Sequence, residues 1–89
     1  MPHARERRIG EVSGPASYVS GGESLTPESL ALGRLDLILF EQASNGTDLR
    51  VVRYDYTNKK VKWFDFAGAE IAGAVDLSTY AARFEAIGK

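Results

Sequence analysis

The chain has 89 residues, no cysteine, a single histidine, and a net charge of −1 from eleven basic and twelve acidic side chains. That composition excludes disulfides and thiolate metal sites, and one histidine excludes a multi-histidine site within one chain. Near-neutrality leaves no overall field to attract nucleic acid or a membrane surface, so neither is expected as a partner.

Met1 to Arg8 is polar, has no apolar periodicity and lacks the apolar centre of a signal peptide. It reads as a flexible basic arm over residues 1–8, leaving 9–89 as a single β domain. Arg5, Arg7 and Arg8 are candidate contacts to carboxylates or carbonyls of a neighbouring subunit. From Ile9 to Ser20 a loose alternation (Ile9, Val12, Ala16, Tyr18) is interrupted by Gly10, Gly14 and Pro15. Proline cannot donate to a ladder, so an edge strand, or two short strands joined at Gly14-Pro15, is predicted. Gly21-Gly22-Glu23-Ser24 is a loop without the spacing or the Lys-Ser/Thr of a phosphate-binding motif. Thr26, Pro27 and Glu28 then supply a cap, a first-turn proline and a dipole-matched acid, and Gly33 ends the segment. One short helical turn near residues 26–32 is predicted.

Leu35 to Phe66 is the organising stretch: three apolar-rich runs with two polar breaks, the pattern of a β-meander. Asn45-Gly46 is the strongest turn signal, because both residues tolerate the positive φ of a tight hairpin. Leu35–Gln42 is apolar on both faces, with Leu35, Leu37 and Leu39 on one and Ile38 and Phe40 on the other. Such a strand needs cover on both sides. In a chain that buries only about 60–65% of its unfolded surface, the second cover is expected to be another subunit. Leu37, Leu39, Phe40, Tyr80 and Phe84 are therefore the candidate oligomer core. From Asp76 to Gly88, a helical face (Leu77, Tyr80, Ala81, Phe84) competes with strand alternation of Tyr80, Ala82, Phe84 and Ala86 against Thr79, Ala81, Arg83 and Glu85. Strand is preferred, since it segregates charges from rings. The resulting class is all-β, mainly antiparallel: a small β-sandwich or jelly-roll-like domain.

Candidate chemistry is sparse. Asp55 and Asp65 could face each other across a hairpin as a carboxylate pair. Asn45, Thr47 and Asp48 could offer oxygens to calcium, without an EF-hand pattern. The only histidine lies at position 3, so none is placed to activate a serine. No enzyme activity, cofactor or metal is expected. No run approaches the roughly 18–20 apolar residues of a membrane span, and a soluble chain made in the cytosol is expected.

Tyr18-Val19-Ser20-Gly21-Gly22-Glu23-Ser24-Leu25-Thr26-Pro27, followed by a Leu-Gly turn and an apolar strand, resembles a segment of small virion structural proteins of tailed bacteriophages. The Asn58–Lys62 hairpin turn and the ending Ala82-Arg83-Phe84-Glu85-Ala86-Ile87-Gly88-Lys89 resemble the same proteins in order and spacing, over residues 15–89. The resemblance implies a capsid decoration or cement subunit that binds the major capsid protein on the capsid exterior, often as a homotrimer, after synthesis in the host cytoplasm. Arg5, Arg7 and Arg8 would then reach across capsid subunits. Two alternatives stand beside it. One is a carbohydrate or host-surface binding module that uses Tyr54, Tyr56 and Trp63 as an exposed stacking platform. The other is a tail or baseplate structural subunit.

Overall fold

The computed structural model describes residues 5–89. Among these, seven strands form a curled, antiparallel sheet with one 3₁₀ turn, Pro27–Leu30. The strands are β1 (Glu6–Ser13), β2 (Glu23–Ser24), β3 (Leu35–Phe40), β4 (Ala43–Ser44), β5 (Leu49–Asp55), β6 (Lys60–Phe64) and β7 (Ala81–Gly88). Pairing follows the order β1-β7-β4-β5-β6-β2, and β3 joins the same edge of the ladder as β4 by pairing with β7. The C-terminal strand is thus central, with β1 on one side and β3 then β4 on the other.

The C-terminal segment is the strand that alternation indicates, and its faces are as read: Tyr80, Ala82 and Ala86 are buried while Arg83 is exposed. The meander holds only in part. β5 and β6 form its hairpin, but β5 takes just the two residues of β4 on its other side, and β3 pairs with β7 instead. The break between β3 and β4 keeps the chain on the β7 edge: Glu41 N–H donates to Arg83 O at 2.8 Å.

The basic arm needs correction over residues 6–8. Glu6, Arg7 and Arg8 are strand residues, paired with Gly88, Ile87 and Ala86. There their backbone amides and carbonyls take partners along the edge of β7. Residues 1–4 lie outside the described residues. Gly14-Pro15 ends β1, as the proline argument requires, and Gly14 N–H donates to Tyr80 O at 2.9 Å. Within β1, Gly10 sits under the Phe84 ring; a Cβ there would come within 2.8 Å of it. The ring fills the place of the missing side chain.

The inner face of the curl holds two apolar clusters. One gathers Tyr18, Ala43, Val52, Val61, Trp63, Leu77, Tyr80 and Ala82. The other gathers Leu30, Leu32, Ile38 and Ala86, roofed by the 3₁₀ turn. That turn starts as predicted: Thr26 precedes Pro27, and the Thr26 hydroxyl meets Ser29 Oγ at 3.1 Å. It stops at Ala31, which adopts a left-handed conformation (φ 57°) two residues before Gly33.

Candidate functional site

Strand register decides which residues share a surface. On β7 the even-numbered residues point inward, so Arg83, Glu85 and Ile87 point outward. Their partners on β1 are Glu11, Ile9 and Arg7, and on β3 Leu39 and Leu37 lie opposite Glu85 and Ile87. The outer face of β1-β7-β3 therefore carries three rows. The first is Glu41, Arg83, Glu11; the second is Leu39, Glu85, Ile9; the third is Leu37, Ile87, Arg7. Ile9 is 59% exposed, Leu39 56% and Leu37 40%. Between Leu39 and Ile9 lies an open hollow of about 300 Å³, with Arg83 and Glu85 among its lining residues. Arg7 and Glu85 form an ion pair across it. Arg83, Glu11 and Glu41 make no ion pair among the described residues.

This surface divides the candidate oligomer core. Leu37 and Leu39 are on the open face. Phe40 and Phe84 point inward, with ring centroids 6.1 Å apart, and pack against the chain's own clusters. Tyr80 is a buried member of the first cluster, under the Arg50 guanidinium at 5.0 Å. The two-faced strand is covered on its Ile38–Phe40 side and open on its Leu37–Leu39 side. Ile9, the most exposed apolar residue of the face, was not singled out as a contact. Its alternation with Val12 was too broken by Gly10 to fix a face.

The three arginines also separate. Arg8 is internal to the fold: its Nε donates to Leu30 O at 2.9 Å and an Nη to Ala31 O at 3.0 Å, closing the end of the 3₁₀ turn. Arg7 is on the outer face. Arg5 lies 3.7 Å from Asp36, whose carboxyl is held below its usual range mainly by the hydrogen bond from Arg34.

The stacking platform is corrected by burial. Trp63 is 1% exposed, because β6 turns its inner face into the first cluster. Tyr54 and Tyr56 do meet edge to face at 5.0 Å, but their hydroxyls serve the fold. Tyr54 donates to Leu25 O at 2.6 Å. Tyr56 Oη accepts from Ile38 N–H at 3.1 Å, capping the β3 edge that faces away from β7.

The carboxylate pair also fails to form. β5–β6 register sets Asp55 opposite Lys60, while Asp65 follows the other end of β6. Asp55 accepts from the Asn58 side chain and then the Asn58 amide, which hold its carboxyl down at about 2, and also from the Thr57 amide. Asp65 folds its own loop, accepting from Ala69 N–H at 3.0 Å. Asn45 Oδ1 is likewise occupied by the amides of Thr47 and Asp48. Among the described residues no group of three or more His, Asp or Glu is placed to hold a metal ion, and no helix is long and apolar enough to cross a membrane.

One polar relay escaped the sequence reading. Trp63 N–H donates to Tyr18 Oη at 3.1 Å, and Tyr18 donates to Glu70 at 2.7 Å. Glu70 also accepts from Gly21 N–H at 2.8 Å, in a loop where Gly21 and Gly22 both have positive φ. Burial, then the Glu70 carboxylate, pushes the Tyr18 hydroxyl up to about 12. The same hydroxyl lowers the Glu70 carboxyl. Partners 45 and 52 residues away leave no local sequence signal. The relay ties the Gly21-Gly22 loop to the sheet.

Comparisons with protein-family models, with curated proteins and with solved structures return no match for this chain.

Proposed function

We propose that this chain is a virion structural protein of a tailed bacteriophage: a capsid decoration or cement subunit that binds the major capsid protein and acts as a homo-oligomer, a trimer in the first instance. The observation that carries the reading is the outer face of β1-β7-β3. It offers side chains for a broad contact between copies of the chain, with apolar residues among charges of both signs. The all-β fold and the ordered segments of residues 15–89 support it. Its location would be the capsid exterior.

The test is binding to purified tailed-phage capsids stripped of their decoration protein. Co-sedimentation at saturating stoichiometry, with capsids that survive heating better than bare shells, is the expected result. Absence of both binding and stabilisation overturns the reading.

A further inference from the structure

We infer that the outer face of β1-β7-β3 is a self-association surface, its occupant a second copy of this chain. This rests on the self-association in the proposed function, gives it two-fold symmetry in place of the trimer, and is independent of its virion part.

Two observations select the occupant. The first is the arrangement of charge. Arg83 stands between Glu11 and Glu41 in one row of the face, and none of the three makes an ion pair among the described residues. A face carrying free charges of both signs on neighbouring strands is complementary to itself. When a copy is turned over onto it, the copy's Arg83 can fall on Glu11 while its own Glu11 falls on Arg83. An acidic or a basic partner would satisfy one sign and leave the other unpaired, which costs specificity as well as energy.

The second is the apolar content. Leu37, Leu39, Ile9 and Ile87 straddle the Arg7–Glu85 ion pair, whose charges already cancel within the chain. Covering this face therefore removes apolar surface from water without stranding the central charges. Facing sheets pack about 10 Å apart through such side chains. The inner face of the same strands has its cover inside the chain, so a copy completes the second side of β3 that this small chain leaves open.

Light scattering on the purified full chain, over roughly 1–500 µM, reads the result without any capsid. The mass should rise from 9.7 kDa toward twice that value, the pair that reciprocal contacts build. Leu39→Asp and Ile9→Asp should each weaken association roughly tenfold or more. Both sites are exposed, so the fold should persist by circular dichroism. Phe66→Asp, at an exposed ring following β6 (59%), should leave association unchanged. Glu11→Arg and Arg83→Glu should each weaken association, and the double exchange should recover it. A wild-type mass fixed at 9.7 kDa overturns the inference. So does wild-type association by the Leu39 and Ile9 variants, equal loss in the Phe66 variant, or no recovery in the double exchange. Capsid co-sedimentation is scored separately, so failure of one proposal is distinguishable from failure of the other.

Discussion

The two clusters inside the curl are built from different material. The first is aromatic and polar-tipped: Trp63, Tyr18 and Tyr80 bury large rings, and the Tyr18 hydroxyl is locked between the Trp63 amide and Glu70. The second is small and aliphatic: Leu30, Leu32, Ile38 and Ala86 under a 3₁₀ turn whose last carbonyls are held by Arg8. In the first, hydrogen bonds fix the orientation of rings that already fill the space. In the second, the fully buried side chains are small, and the partly buried rings of Phe40, Tyr54 and Phe84 pack over them. A Cβ on Gly88 would lie 1.9 Å from Arg34 O, so β7 and the Arg34 backbone are already in contact.

Truncation should expose this difference most strongly. Trp63→Ala should cost about 3–5 kcal/mol, as expected for a fully buried large ring. Leu30→Ala, at the rim of the aliphatic cluster, should stay near the lower end of the roughly 2–5 kcal/mol range for buried leucine. Urea unfolding compares the two, and equal losses would erase the distinction. Overpacking should also be felt at the aliphatic end: Gly88→Val should destabilise it by about 1–3 kcal/mol or more, seen as a lowered midpoint. A neutral result would mean β7 can shift away from Arg34.

The relay gives a sharper contrast. Tyr18→Phe keeps the ring but strands the Trp63 amide, a loss of about 1–3 kcal/mol. Tyr18 also predicts an alkaline limb. Its folded pKa, about 12, lies above the usual 10, so folding favours the protonated phenol. Its contribution is complete below pH 10 and disappears as pH rises toward 12. Tyr18→Phe should flatten that limb in a pH series of thermal melts. Arg8→Met, which removes the hydrogen bonds to Leu30 O and Ala31 O, should cost about 1 kcal/mol at the aliphatic end.

The smallest effect lies outside both clusters, at the β5–β6 turn. Asp55 is held at about 2, below the usual 3.8. Its contribution is therefore present above pH 4 and lost as pH falls toward 2. Asp55→Asn should lower stability by a similar amount at every pH above 4 and flatten the fall toward pH 2. An unaltered acid limb would assign it to other carboxylates.

Local signals were legible where the physical cause is local. Thr26-Pro27 starts the 3₁₀ turn, Gly46 takes the positive φ of its loop at 93°, and Tyr80-Ala82-Ala86 marks the buried side of β7. The candidate site was half legible. Leu37 and Leu39 could be read as an uncovered side of β3, but their neighbours Ile9 and Glu11 come from β1, far upstream, and Arg83 from β7, far downstream. Only pairing with β7 unites them.

By itself, the sequence determined an all-β chain, the alternation along its strands and the places where they turn. Periodicity of two follows from backbone geometry and needs no partner. The tertiary structure decided which side of each alternation is covered. It paired Glu6–Arg8 with β7, drew β3 away from β5, buried Trp63 and left Leu39 and Ile9 in the open. Those outcomes depend on register between distant segments, and a one-residue change of register exchanges the two faces of a strand.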